Sequence, residues 1–366
     1  MKLLIILSCN DFDNFTRRAT VEAICKKHPD TTLLFFNGIK GFPIKNPSNP
    51  KLRWKTYYSL SLGKGRQALR KTEISLSGLY WKRYIRSFAV VFLGDPNQEL
   101  ILDYVSQKQK IIYLIRDPNA LQSTENQERE LRILKVARTV FATSKNLTKN
   151  YLPDYYGFQH PNIHYWPNTV DLTLWKYITY EKLIKLKKKK VVGMAGNIGK
   201  KRTDFELLEY LAENTTDYEI HFAGRISSDS IDNPSLKKFL NSKNVKYLGF
   251  IPFEKLPQTL IQWEIGLITD SKGEYASYMH HNKVYQYLAM GLPVVVLRTH
   301  NDYDTLGFPL YIANTKEEYN QKIKEALAAA GKPETIEHCL QLAKENSSEV
   351  RAKEFLSILK TFQEKE

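Results

Sequence analysis

Short runs of consecutive apolar residues alternate along this chain with stretches whose apolar positions recur every three to four residues. The runs Lys2–Leu7, Thr32–Phe36, Phe88–Leu93, Lys110–Ile115 and Thr139–Ala142 read as strands buried on both faces. Between them, Thr16–His28, Asn97–Gln107 and Glu125–Ala137 carry helical spacing. After Ile163–Asp171 and a Lys-rich stretch, Tyr180–Lys190, that reads as a polar linker, the rhythm restarts. Lys190–Ala195, Tyr218–Ala223, Val245–Leu248, Glu264–Ile268 and Val294–Leu297 are predicted strands. Phe205–Glu213, Pro234–Asn241, Pro257–Ile261 and Lys283–Ala289 are predicted helices, with Asn233 as N-cap before Pro234. Alternation of this kind argues an α/β protein with two doubly wound parallel sheets, each covered by helices on both faces.

The predicted layout is an N-terminal domain over 1–172, a C-terminal domain over 188–345, and a helical tail, 346–366, lying back on the first domain. A length of 366 residues suits two such cores. Two Rossmann-like sheets place ligands outside the carboxyl ends of their strands, and a cleft between the domains is the expected site. No repeat of solenoid period occurs. The three cysteines, Cys9, Cys25 and Cys339, are scattered without CxxC spacing and read as reduced thiols, which argues against a zinc site. The apolar start Met1–Leu7 is too short for a signal-peptide core, and no run approaches the 18 apolar residues of a spanning helix. The expectation is a cytoplasmic protein or one resting on a membrane surface.

Charge changes that picture in one place. The net charge is +15, and between Lys40 and Arg86 twelve Lys/Arg face a single acid, Glu73. Phe42, Trp54, Tyr57, Tyr58, Tyr80, Trp81 and Tyr84 are interleaved with them. This segment reads as a partly helical insertion in the first domain. Basic and aromatic residues together suit an anionic bilayer interface, where Trp and Tyr sit at headgroup depth; a solvated basic face is the plainer alternative. A nucleic-acid ligand would also explain the charge, but no RNA- or DNA-binding module is recognisable.

Three segments carry candidate chemistry. In Val192–Asp204 a strand runs into a turn with Gly196, Asn197 and Gly199, then Lys201 and Arg202, then a helix start. Glycines allow close backbone approach, and amides at a helix start favour anions. The two glycines are too close together for a P-loop. In Asn244–Pro252 a strand ends in Gly249-Phe250, where a base could stack, with Gly224 at the end of the preceding strand. In His280–Val295 a helix begins near His281, Asn282 and Lys283, ends at Gly291, and is stopped by Pro293. Its first amides suit phosphates, and Gln286, one turn after Asn282, offers an acceptor oxygen for ribose hydroxyls.

Taken in order, "GMAGNIGKKRTDFELLEYLA", "NVKYLGFIP", "WEIGLI" and "NKVYQYLAMGLPVVV" resemble the donor domain of GT-B glycosyltransferases, nearest to bacterial enzymes that build capsule, teichuronic-type and exopolysaccharide chains. "IIYLIRDPNA", "ERELRILKVARTVFATSKNL" and "NIHYWPNTVDLTLW" resemble the acceptor domain and interdomain stretch of that family. The resemblance spans Lys110 to Val296 and departs from the pattern at named positions. Gln286 stands where the family commonly has Glu, Arg116-Asp117 where many relatives have Asp-Asp, Asn168-Thr169 where they have Asn-Gly, and Tyr278 where retaining members carry an acid.

The resemblance implies a metal-independent hexosyltransferase with a nucleotide diphosphate sugar as donor and no cofactor. A polyprenyl-linked saccharide would be its acceptor, and it would work on the inner face of the cytoplasmic membrane. Donor contacts would come from Gly196, Asn197, Lys201, Arg202, Gly224, Phe250, Tyr278, His281, Asn282, Lys283 and Gln286. His280 and His281 belong on the phosphate side. Asp117 and Asp13, both after strand ends, are the candidate bases should the reaction invert. A sugar-nucleotide epimerase, or a catalytically weak binding partner of another transferase, are the alternatives.

Overall fold

The computed structural model describes residues 1–9, 11–13, 15–38, 44–59, 68–177 and 190–362. Lys40, Phe42, Lys64 and Arg66 of the basic segment, and Tyr180–Lys189 of the expected linker, lie outside the described residues. The chain forms two compact units, Met1–Pro167 with Arg351–Glu366, and Asn168–Val350.

In the first unit the strands are β1 (Leu3–Leu7), β2 (Thr31–Gly38), β3 (Trp54–Ser59), β4 (Val90–Leu93), β5 (Lys110–Ile115), β6 (Ala137–Ala142) and β7 (Ile163–Tyr165). They pair in parallel in the order β3-β2-β1-β4-β5-β6-β7. The helices are α1 (Arg18–Lys27), α2 (Ala68–Ile85), α3 (Thr124–Val136), α4 (Lys145–Lys149) and α5 (Tyr151–Tyr156). Every residue of β1 and β4 is buried, which is why these strands are continuous apolar runs rather than alternating ones. Phe355, Leu359 and Phe362 of the tail pack with Leu3, Ile5, Phe92 and Phe141 in the core of this unit.

The second unit carries β8 (Lys190–Ala195), β9 (Tyr218–Ala223), β10 (Val245–Tyr247), β11 (Ile265–Ile268), β12 (Val294–Leu297) and β13 (Leu310–Ala313), in the order β10-β9-β8-β11-β12-β13, again parallel. Its helices are α6 (Phe205–Glu213), α7 (Pro234–Asn241), α8 (Leu256–Leu260), α9 (Glu274–Ser277), α10 (Asn282–Ala289), α11 (Lys316–Ala329) and α12 (Pro333–Glu345); α13 (Ser348–Lys360) leads into the tail. Asn233 caps α7 as expected, its side chain accepting from Leu236 N–H at 2.9 Å. The sheet reverses its winding between β1 and β4 in one unit and between β8 and β11 in the other. Strand exits at such switch points leave room for a ligand.

The structure differs from expectation in three places. The basic segment is helical in part, as α2, but Trp54–Ser59 within it is an edge strand paired with β2. Its alternating, half-buried pattern hid among the charges. Asn97–Gln107 is a shorter 3-10 helix, Pro96–Asp103, started by Asp95 accepting from Asn97 N–H at 2.9 Å. β13 and α11 complete the second unit although no element was expected there.

The lone acid of the basic segment is turned inward. Glu73 is 4% exposed and accepts from Tyr57 Oη, Ser59 Oγ at 3.0 Å and Arg70 Nη1 at 2.8 Å. Arg70 in turn donates from Nε to Asp103 at 2.8 Å. This buried ionic knot ties α2 to β3 and leaves Leu76, Leu79 and Tyr80 on the outer side, 78%, 86% and 53% exposed.

Candidate functional site

In the second unit three strand exits are stitched side by side. Gly196 N–H donates to Ala223 O and Gly224 N–H to Gly249 O, both at 2.8 Å, and Ile198 N–H donates to Arg225 O at 3.0 Å. Gly196 has φ +119°, open only to a residue without a β-carbon, and a β-carbon on Gly224 would lie 1.9 Å from Gly196 O. These two glycines therefore serve close backbone packing. Asn197 braces the turn, its Oδ1 accepting from Arg225 N–H at 3.2 Å. Phe250 is 54% exposed, and the Arg225 guanidinium lies 4.0 Å from its ring centre.

The turn after Gly196 is not the open anion cradle its glycines suggest. Gly199 N–H donates to Thr203 Oγ1 at 3.3 Å and Lys200 N–H to Ser230 Oγ at 2.9 Å. The start of α6 is capped by Asp204, which accepts from Leu207 N–H at 2.9 Å. Lys201 and Arg202 are exposed, and Arg202 donates to Tyr275 Oη at 3.1 Å with its guanidinium 5.3 Å from that ring centre.

Cationic chemistry converges instead at the start of α10. Two glycines inside the strands seat this helix: a β-carbon on Gly193 would meet the Trp263 ring at 1.9 Å, and one on Gly266 the Tyr287 ring at 2.2 Å. Tyr287, thus seated, accepts from Ala195 N–H through its hydroxyl at 2.8 Å. His281 is the N-cap, and its own N–H donates to Tyr303 Oη at 2.9 Å, so the first amides left for a ligand are those of Asn282 and Lys283. His281 Nε2 sits 2.5 Å from Asp270 Oδ2, just past the end of β11. The Lys283 side chain reaches over Gly196, where a β-carbon would stand 3.4 Å from its Cδ.

Burial alone would raise the Asp270 carboxyl, but the charge and hydrogen bond of His281, with Lys283 and His300 beyond, bring it below the ordinary carboxylate range. Desolvation lowers the Lys283 ammonium; Asp270 opposes that shift and Arg202 adds to it. Gln286 is buried one turn along α10, and Tyr278 is buried at the end of α9. His280 lies behind the cap, its Nε2 3.3 Å from Tyr285 Oη. The sequence reading missed Asp270 and Arg225; an acid directly after an apolar strand that ends at a switch point was the available signal for the first.

In the first unit Asp13 and Asp117 stand apart in their surroundings. The Asp13 carboxylate accepts from Ser48 N–H at 3.2 Å and Ser48 Oγ at 2.9 Å, which ties down the chain after residue 44. Asp117 follows β5 on a loop that is held from both ends. Thr143 Oγ1 donates to Arg116 O at 2.9 Å, Ala120 N–H donates to Tyr151 Oη at 2.8 Å, and Asn119 Nδ2 donates to the buried Glu130 at 2.6 Å. Beside that loop a cavity opens at the switch point between β1 and β4, lined by Ser8, Arg17, Asp95, Gln98, Arg116 and Trp166 together with apolar residues of the sheet.

Two units with all-parallel sheets of these strand orders define a GT-B fold, shared with solved structures along the whole chain. Anabaena HepE, described as a complex with UDP, superposes with a TM-score of 0.73 at 14% identity, covering 99% of this chain and 100% of that one. Sucrose-phosphate synthase from Thermosynechococcus elongatus gives 0.72 at 14% identity, with 100% of both chains covered. The lipopolysaccharide outer core galactosyltransferase WaaB gives 0.68 at 13%, covering 99% of each chain. By sequence, residues 192–306 match the family described as Glucosyltransferase 3-like, C-terminal domain. That span runs from within β8 past β12, so it contains Gly196, Gly224, Phe250, Asp270 and all of α10. No curated protein sequence matches the chain.

Proposed function

We propose that this chain is a glycosyltransferase that moves a sugar from a nucleotide diphosphate sugar to a lipid-carried saccharide during synthesis of a cell-surface polysaccharide. The observation that carries this reading is the coincidence of the 192–306 family match with the cationic start of α10 at the β8/β11 switch point. The amides of Asn282 and Lys283 and the Lys283 ammonium, at a cap held in place by the His281–Asp270 contact, form a positive end against which a diphosphate leaving group is stabilised as it departs. Phe250 and Arg225 offer a stacking face for a base, and Gln286 an amide for ribose hydroxyls. HepE is described in complexes with UDP, with UDP and glucose, and with UDP-glucose, which favours a UDP-sugar donor here. The transfer needs no metal in this reading, because the diphosphate charge meets protein groups.

In the first unit Asp117, which follows the carboxyl end of β5 next to the β1/β4 switch point, is the preferred candidate base. The acceptor hydroxyl gives its proton to Asp117 as it attacks the anomeric carbon. The buried knot around Glu73 presents Leu76, Leu79 and Tyr80 outward beside Lys71, Arg83 and Arg86, a leucine-and-base surface suited to the anionic inner leaflet where a polyprenyl acceptor resides.

A thermal-shift panel of nucleoside diphosphates and their sugars tests the donor reading: one nucleotide is expected to raise the transition well above the others. Asp117→Asn is expected to keep that shift while transfer falls about 100- to 10,000-fold. A panel in which no nucleoside diphosphate stabilises the protein overturns the assignment.

A further inference from the structure

Beside the loop that carries Asp117, a carboxylate is buried with only neutral hydrogen-bond donors around it. Glu130 lies within α3 and is fully buried. Its Oε1 accepts from Tyr113 Oη at 2.7 Å and Asn119 Nδ2 at 2.6 Å. Its Oε2 accepts from Tyr151 Oη at 2.7 Å and Tyr156 Oη at 2.6 Å. These donors come from β5, from the turn Asn119–Leu121 and from α5. Burial raises the Glu130 carboxyl, and the four hydrogen bonds oppose that rise. A carboxylate is costly to bury, but four donors need a side chain that accepts at both of its ends. Glutamine would turn an NH2 group toward two of them.

Two of these contacts reach the loop of Asp117. Asn119 bonds Glu130 directly. Ala120 N–H donates to Tyr151 Oη at 2.8 Å, so the hydroxyl that donates to Glu130 also accepts from the loop backbone. Tyr156 has no such link: its hydroxyl reaches Glu130 and, at 3.5 Å, the Tyr151 hydroxyl. On the other side of Asp117, Arg116 O accepts from Thr143 Oγ1, which holds the loop where it leaves β5.

We infer that Glu130 is a positioning residue for Asp117, acting through Asn119 and through the Tyr151–Ala120 bond. A base removes a proton only within hydrogen-bond reach of it, and a small displacement of the base lowers the rate steeply. A buried cluster whose members are all satisfied keeps such geometry from drifting. This role rests on the reading of Asp117 as the base.

Release of UDP from UDP-glucose by the full chain, with water as the acceptor, is the test. In that step a water oxygen attacks the anomeric carbon and its proton passes to Asp117, while the bond from that carbon to the phosphate oxygen breaks with its electron pair leaving on UDP. Tyr151→Phe keeps the ring and removes the hydroxyl between Glu130 and Ala120. It is expected to lower kcat about tenfold while the KM for UDP-glucose holds, because the donor side is untouched. Tyr156→Phe also takes one hydrogen bond from Glu130 Oε2 but leaves the Ala120 link, so its loss of kcat is expected to be several-fold smaller. Glu130→Gln should lower kcat more than either; thermal transitions are followed alongside, and the two Phe variants carry the test should Glu130→Gln unfold. Equal losses in the two Phe variants, or a kcat unchanged by Tyr151→Phe, overturn the positioning role and leave Asp117 standing as the base. Wild-type release no faster than that of Asp117→Asn overturns the base itself, and this role with it.

Discussion

His281 Nε2 and Asp270 Oδ2 lie 2.5 Å apart, joining the N-cap of α10 to the end of β11 across eleven residues of chain. Because the Asp270 carboxyl sits below its ordinary range in the folded protein, the stability it contributes is complete above the unfolded Asp value and is lost as pH falls through the folded one. Asp270→Asn should therefore lower stability by about 2 kcal/mol at neutral pH and flatten the acid limb below about pH 4. Urea denaturation from pH 3 to 7 reads both effects, and an unchanged acid limb would refute the ion-pair role.

The lowered Lys283 ammonium gives a second, independent readout. A bound diphosphate raises this group, so binding takes up a proton in the pH window between its free-protein and bound-protein values. Calorimetric titration with UDP in buffers of differing ionisation enthalpy should detect that uptake at alkaline pH. Lys283→Met should abolish it and weaken binding about tenfold.

Gly266 is a packing residue, not a loop hinge. Its missing β-carbon makes room for the Tyr287 ring, which is itself fixed by Ala195 N–H. Gly266→Ala should cost about 1–3 kcal/mol from overpacking and weaken nucleotide binding by shifting α10. Gly273→Ala is the control: the nearest atom to its β-carbon is Ser271 Oγ at 3.6 Å, so the thermal transition should hold.

Leu76 and Leu79 are so exposed that replacing both with Glu should leave stability within about 0.5 kcal/mol. Co-sedimentation with vesicles containing phosphatidylserine is expected to fall to background in that variant. Equal binding of the two proteins, or wild-type binding that ignores anionic lipid, rules out the membrane surface.

Much of this protein was determined by its sequence alone. β8, α6, β9, α7 and β12 begin and end where the apolar runs, the cap Asn233 and Pro234 put them. A strand buried on both faces must be continuously apolar, and a cap acts within three residues, so both signals are local. The tertiary structure decided the rest. Trp54–Ser59 became a strand only by pairing with β2, because an edge strand keeps one polar face. Gly193 and Gly266 matter because of rings carried by Trp263 and Tyr287, and Arg17 meets Trp166 across most of the first unit. Asp270 became part of the site through His281. Periodicity reports which face of an element is buried; only folding selects the distant side chain that will meet it.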